Sequence, residues 1–327
     1  MRHQEPWRPF MSNSERRSVT VREVGPRDGL QMLKQVIPTE AKLRWIGAMV
    51  DAGVSQMEVG SFVPVSLLPQ LADSAEVVCA VLQKHPQLYA TVLAPNLRGT
   101  QDAVAAGAKS ILIPVSASEA HSRSNVRRSC KEQVAEFGRV AEWIHSLGSS
   151  APRIEAGLAT AFGCSLQGDV PEEDVVQMSG ELVRAGADVV TLADTLGYAS
   201  PTRVRRLIRA VRREIGNEKL GGLHLHDTLG TALANVYAAL EEGVRAFDGA
   251  LGGLGGCPYA PGSVGNVATE DLVYLLEREG YDTGIDLYRL LEARRVLSQV
   301  APNELLYGRV AAAGVPRTYC RAARQLL

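Results

Sequence analysis

The chain has 327 residues, 46% of them hydrophobic and 22% charged, the make-up of a globular protein that can bury a large core. Its formal net charge of -1 gives no global field to draw in nucleic acid or an acidic membrane, and no apolar run reaches the ~20 residues of a membrane span. Five scattered cysteines, Cys79, Cys130, Cys164, Cys257 and Cys320, contain no CxxC pair or zinc-finger spacing, which fits a reducing, cytoplasmic setting better than a disulfide framework.

Residues 1–17 are polar, hold Pro6 and Pro9, and lack the apolar stretch of a secretory signal, so they read as a flexible extension. Glu5 and Glu15 weaken a mitochondrial-targeting reading that the arginines leave open. From residue 18 onward, short β-branched runs alternate with longer amphipathic ones. The pattern predicts strands over 18–24, 56–59, 88–93, 110–115, 153–159, 188–192, 222–226 and 245–249. Helical spacing intervenes, at 39–52, 97–106, 131–146, 172–185, 202–215, 231–242 and 269–279. Gly53, Gly107, Gly186 and Gly243 stand where these helices should stop. Eight βα units predict a (β/α)8 TIM barrel over 18–284, with an open doubly wound sheet as the alternative, because strand order is not written in sequence. Residues 285–327 read as a C-terminal helical extension packed on the barrel, broken at Ala301-Pro302.

In such a barrel, chemistry sits where strands run into helices. The first strand ends in Arg27-Asp28, a cation and a carboxylate side by side. Glu58 ends the second, and Asp194-Thr195 follows the sixth. The seventh carries His224-Leu-His226, whose alternate residues face one side and could share one metal ion. Because the eighth strand closes on the first, Asn266 comes near Asp28. Two imidazoles with oxygens from Asp28 and Asn266 make a mixed site suited to Mg²⁺ or Mn²⁺. Between the eighth strand and Asn266, the glycine-rich run from Gly252 holds Cys257, a thiol on a loop able to close, placed for acid–base or nucleophilic work. Each element also has a plainer reading. The histidines could be ordinary core or surface residues, Arg27-Asp28 a rim ion pair, Asp194 a helix N-cap, and the Cys257 run a surface turn. Cys79 and Cys130 read as buried or partly buried helix residues, and His85 and His145 as structural.

Together the motifs resemble the 3-hydroxy-3-methylglutaryl-CoA lyase family. They are Glu23-Val-Gly-Pro-Arg-Asp-Gly-Leu-Gln31, Glu58-Val-Gly-Ser-Phe62, His224-Leu-His-Asp-Thr228, Gly253-Leu-Gly-Gly-Cys-Pro-Tyr259 and Gly265-Asn-Val-Ala-Thr-Glu-Asp271. The resemblance implies a divalent-metal-dependent carbon–carbon lyase that splits a 3-hydroxy-acyl-CoA thioester into acetyl-CoA and a keto acid. It implies Asp28, His224, His226 and Asn266 as metal ligands, and Arg27 at the thioester oxygen. Glu58 and Asp194 would support the ligands or move protons, and Cys257 would be the catalytic thiol of the lid. Gln31, Ser61 and Thr195 fall at matching rim positions. Lys34, Arg123 and Arg127, with Arg128, are candidate contacts for coenzyme A, and the expected assembly is a homo-oligomer, a dimer. Thr160 stands where the family usually has cysteine, and the segments 61–69 and 247–253 also depart from its pattern. These departures surround the acyl pocket, so the substrate could be a bulkier or differently branched thioester. A condensing synthase and a non-catalytic, metal-stabilised binding protein are the remaining alternatives.

Overall fold

Strands such as Arg153–Ala159 are buried on both faces, one under helices and the other inside the sheet's own curve, as a closed parallel sheet requires. The computed structural model describes residues 17–256 and 264–319. A two-residue strand, β1 (Arg17–Ser18), precedes the eight that form the barrel. These are β2 (Thr20–Glu23), β3 (Gln56–Ser61), β4 (Tyr89–Leu93), β5 (Ser110–Ser116), β6 (Arg153–Ala159), β7 (Val189–Asp194), β8 (Leu220–Leu225) and β9 (Ala246–Gly249). All neighbours are parallel, and β9 closes on β2 through Thr20–Ala246 and Glu23–Gly249 pairing. The open-sheet alternative is thereby removed.

Helices α1 (Thr39–Asp51), α2 (Ser74–Lys84), α3 (Leu97–Ala105), α4 (Glu119–Val126), α5 (Cys130–Ser146), α6 (Glu172–Arg184), α7 (Pro201–Ile215), α8 (Ala232–Glu241) and α9 (Thr269–Arg278) form the outer ring. In α7, Val204, Leu207, Ile208, Val211 and Ile215 recur at helical spacing and are buried against the sheet. Its first N–H groups are met by Ser200, whose hydroxyl accepts from Arg203 N, with Pro201 preset for the first turn. Beyond the barrel, β10 (Tyr281–Asp282) pairs with β1, α10 (Leu287–Val300) packs on α1, and α11 (Arg309–Ala313) packs on α9. None of the described helices is long and apolar enough to cross a membrane.

Several expectations shift. Arg17, assigned to the extension, is the first residue of β1 and pairs with Tyr281; residues 1–16 lie outside the described residues, as do 320–327. Strand β3 runs three residues past Glu58, and a register shift between Glu58 and Gly60 turns Ser61 to the same face as Glu58. The segment holding Arg123, outside every helical range read from the sequence, is a helix, because Ser118 caps it by accepting from His121 N. Cys79 is exposed and Cys130 is half-buried.

Glu23, the last residue of β2, ties the barrel's closing seam. Its Oε1 accepts from Gly25 N at 2.8 Å and Leu251 N at 3.0 Å, and its Oε2 accepts from the Thr269 hydroxyl at 2.6 Å. A Cβ at Gly25 would lie 2.5 Å from that Oε1, so only glycine lets the carboxyl reach the turn. Burial pushes this carboxyl up to about 7, outweighing the hydrogen bonds that favour its ionised form. The folded chain therefore holds this proton more tightly than the unfolded chain does. The stability linked to it is full below the unfolded pKa of about 4.5 and is lost as pH rises through about 7, on the order of 3 kcal/mol. Glu23→Gln should remove this component. Calorimetric scans between about pH 5 and pH 8 should show the wild-type midpoint falling more steeply than that of the variant.

Candidate active site

Immediately after β2 the backbone winds into a tight helical turn, Gly25–Gly29, with Arg27 N and Asp28 N both donating to Val24 O. The turn sends Arg27 and Asp28 inward, where they are 5% and 6% exposed. Arg27 donates through Nε to Glu58 Oε2 at 2.5 Å and through Nη1 to Asp28 Oδ1 at 2.8 Å. Gln31, one turn on, donates to the same Asp28 oxygen at 2.5 Å. Burial resists ionisation of Asp28, but Arg27 and the two imidazoles outweigh it and hold the carboxyl well below the usual carboxylate range. For Glu58, fully buried on β3, burial prevails over Arg27 and Arg22 and pushes the carboxyl up.

From β8 and its end, His224 and His226 turn the same way, with their Nε2 atoms 3.3 Å apart and each 3.6 Å from Asp28 Oδ2. Both rings are held from behind. His224 Nδ1 lies 2.9 Å from Asp248 Oδ2, and His226 Nδ1 lies 3.1 Å from Val264 O. Carboxylate and carbonyl oxygens only accept, so Nδ1 carries the proton in each ring and the Nε2 lone pairs face the centre. Burial alone would lower the His224 pKa, but the hydrogen bond to Asp248 and the charge of Asp28 raise it.

Beneath this pair lies a buried charge ladder that sequence reading had not assigned. Arg22 donates from Nε and Nη2 to Asp248 at 2.8 and 2.9 Å, and from Nη1 and Nη2 to Glu155 on β6 at 2.7 and 3.0 Å. Glu155 in turn accepts from the Thr191 hydroxyl at 2.5 Å. The sequence shows only a charged residue within each strand: Arg22, Glu155 and Asp248 stand where parallel pairing turns them inward, and nothing local tells which of them meet. A cavity of about 50 Å³ below them, lined by Arg22, Glu155, Asp248 and Gln56, has room for a water or two and belongs to the far end of the barrel.

Asn266 supplies the fourth side. Its Nδ2 donates to Asp28 Oδ2 at 2.7 Å, while its Oδ1 is buried with no hydrogen-bond partner. An orphaned buried carbonyl beside facing imidazole lone pairs and a carboxylate is what a cation would satisfy. The ligand atoms offered by Asp28, His224 and His226 lie within 4.8 Å of one another. Counted as ionised, Asp28, Glu58, Glu155 and Asp248 face only Arg22 and Arg27, a deficit that one divalent ion would neutralise. The residues therefore fit a divalent ion with mixed nitrogen and oxygen ligands.

Other predicted residues fall elsewhere. Asp194 closes β7 and accepts from Tyr198 N and Ala199 N, both at 2.9 Å, so it shapes the loop after β7 rather than capping α7. Thr195, next to it, accepts from Thr160 N. Lys34 and Arg127 are exposed, and Arg123 is paired with Glu119 at 2.7 Å within α4. Arg128 reaches Glu136 at 3.3 Å. Cys257 lies outside the described residues. The chain on either side of it is fastened beside the site: a Cβ on Gly255 would lie 3.4 Å from Gly29 Cα, Val264 O accepts from His226, and Gly265 O accepts from Asp227 N.

Fold and site together define an enzyme-like (β/α)8 barrel with a buried, cation-ready cluster at the C-terminal ends of its strands. The family model described as HMGL-like matches residues 18–297, and the chain belongs to that family. It is 41% identical over 295 residues to the cytoplasmic 3-hydroxy-3-methylglutaryl-CoA lyase of Mus musculus, covering 90% of this chain and 84% of that protein. A Pseudomonas aeruginosa 3-hydroxy-3-isohexenylglutaryl-CoA/hydroxymethylglutaryl-CoA lyase is 42% identical over 277 residues, covering 85% of this chain and 91% of the relative. The solved HMG-CoA lyase from Acinetobacter baumannii, in complex with coenzyme A and 3-methylmalate, superposes with a TM-score of 0.86 at 37% identity, covering 93% and 97% of the two chains.

The geometry makes Asp248 the group that orients His224. Asp248→Asn keeps the volume but weakens the acceptor and unbalances Arg22. Direct titration with Mn²⁺ should show affinity lowered about 10–100-fold while circular dichroism is unchanged.

Proposed function

We propose that this chain cleaves 3-hydroxy-3-methylglutaryl-CoA between C2 and C3, giving acetyl-CoA and acetoacetate, with Asp28, His224, His226 and Asn266 holding a Mg²⁺ or Mn²⁺ ion. The observation that carries this reading is the convergence of Asp28, both Nε2 atoms and the unpartnered Asn266 Oδ1 beside Arg27. The names of relatives at about 40% identity over most of the chain support the substrate. When bound, the ion would supply Lewis-acid polarisation of the substrate's C3 oxygen and a template for its distal carboxylate.

The reaction needs a proton taken from the C3 hydroxyl, a place for negative charge on the thioester as C2–C3 breaks, and a proton delivered to C2. Of the two candidate proton acceptors, Asp28 and His224, the Asp28 carboxylate is the one with lone pairs to spare, because His224 keeps its proton on Nδ1 against Asp248 and turns Nε2 to the ion. Arg27 presents a guanidinium already fixed by Glu58 and Asp28, so it meets the developing enolate oxygen without reorganising. Cys257, between two segments fastened beside Asp28 and His226, is the proposed proton donor to C2, its loop excluding water when closed. The mouth-side cations Lys34, Arg123 and Arg127 are the proposed contacts for the coenzyme A phosphates. The unpaired cysteines Cys79, Cys130 and Cys164 support a reducing, cytoplasmic setting, and a dimer is the proposed assembly.

An acetoacetate-release assay tests the reading. Turnover should require a divalent ion and stop with chelator; a chain that binds the ion yet releases no acetoacetate or acetyl-CoA from this thioester refutes it. Cys257→Ser should keep the fold and bind metal while losing roughly 10²–10⁴ in kcat, because the alcohol is a far poorer acid near neutral pH. In Arg27→Lys, kcat should fall far more than metal affinity, since the charge survives and the fork does not.

A further inference from the structure

Barrels of this kind are ordinarily filled along the axis by bulky branched side chains. Here the end opposite the metal ligands is ringed instead by Thr20, Gln56, Tyr89, Ser110, Arg153 and Ala246, each the first residue of its strand. They line the cavity of about 50 Å³, and its roof is formed by Arg22, Glu155 and Asp248, two residues further along β2, β6 and β9 and so on the same inward face. Thr20, Gln56 and Tyr89 are half-buried and Arg153 is exposed, so solvent reaches the ring from this end.

Two polar groups on the wall of this cavity are left over by the protein's own bonds. Ser110 is 1% exposed, and its Oγ has no hydrogen-bond partner among the described residues. Arg22 makes four bonds with its five N–H groups, to Asp248 from Nε and Nη2 and to Glu155 from Nη1 and Nη2, which leaves one Nη1 proton. A buried hydroxyl and a buried guanidinium proton facing one polar cavity are the partners an ordered water needs, and the Gln56 amide on the same wall is a third. Cavities of this size that stay empty are lined by hydrocarbon, and this one is lined by charge.

We propose that the cavity is a water site fed from the far end of the barrel, and that its water, bonded to Ser110 and Arg22, keeps the guanidinium on Asp248 and so aims the His224 ring. Arg22 is then a positioning residue, with Glu155 as one support and the water as the other. In a dry cavity Arg22 would divide its donors between Asp248 and the orphaned Ser110 hydroxyl, and the open space would let it swing. The Asp248 carboxylate, released on that side, would no longer fix the imidazole behind its metal-facing nitrogen. The inference rests on the metal-site part of the reading above and adds a support that reaches the ion from the end opposite the substrate.

Ala246→Val tests this, because it adds two methyl groups at the cavity wall and touches none of the bonds of Arg22. The valine should displace the water: the metal-free variant should melt no higher than wild type, and Mn²⁺ affinity should fall about tenfold, with weaker hyperfine coupling from imidazole nitrogen. Unchanged Mn²⁺ binding, or the raised melting temperature that filling an empty gap gives, overturns the inference. Entry from the far end is tested in Arg22→Ala, where guanidinium at millimolar concentration should restore Mn²⁺ affinity and urea, neutral and of similar shape, should not. A folded Arg22→Ala that guanidinium fails to restore also overturns it; if that variant does not fold, Ala246→Val carries the test. Wild type that binds no Mn²⁺ sinks the metal reading and the positioning role with it, while the melting comparison, made without metal, still decides whether water occupies the cavity.

Discussion

Arg22 stands inside the barrel with its guanidinium shared between Glu155 and Asp248, and the chemistry above depends on that arrangement. A buried cation is tolerable only when carboxylates surround it, and buried carboxylates only when donors answer them. Arg22 meets this condition for Asp248, which can then hold the His224 ring with its Nε2 toward Asp28. Arg27 does the same for Glu58 and Asp28 one layer nearer the mouth. With two guanidiniums set against four carboxylates, the interior is left short of positive charge at the place where two imidazole lone pairs and the Asn266 carbonyl converge. The upward pKa directions of Glu58 and His224 are the same shortage expressed as an affinity for protons.

A second pair of buried carboxylates connects the outer parts of the chain to this centre. Glu23 takes Leu251 N, Glu270 takes Gly252 N, and Arg294 of α10 bridges Glu270 at 2.8 Å to Tyr307 O at 2.7 Å. The C-terminal helices thus hold the turn from which the Cys257 segment departs. Their contribution to function is mechanical: they fix one root of that segment beside Gly29, while Val264 and Gly265 fix the other beside His226 and Asp227.

Much of this was legible in the residues. Strand periods located all eight barrel strands and helical spacing seven of the helices around them, because a helix-covered parallel strand is short and apolar and a long helix carries one apolar stripe; α2 and the short α4 were not read. The histidine pair, Asp28 and Asn266 could be brought together on paper, since alternation and closure of the last strand on the first are general properties of the fold. What escaped was whatever depends on register. The bulge after Glu58, the inward row that includes Asp248, and the Arg22–Glu155 pair between β2 and β6 involve residues far apart in sequence, and no local pattern announces them. The N-cap alternative for Asp194 failed for a related reason: a carboxylate before a helix looks like a cap, but here the loop between β7 and α7 is long enough to fold back on it and leaves capping to Ser200.

The central claim is that the barrel's charge deficit is met by one divalent ion held between Asp28, His224, His226 and Asn266. Its most direct test is electron paramagnetic resonance of Mn²⁺ added to chelator-stripped protein, read alongside a binding titration. The account predicts one ion per chain with hyperfine coupling from imidazole nitrogen, and loss of both signals when His224 and His226 are replaced together by alanine. An ion bound without nitrogen coupling, or bound equally well by the double variant, would contradict it.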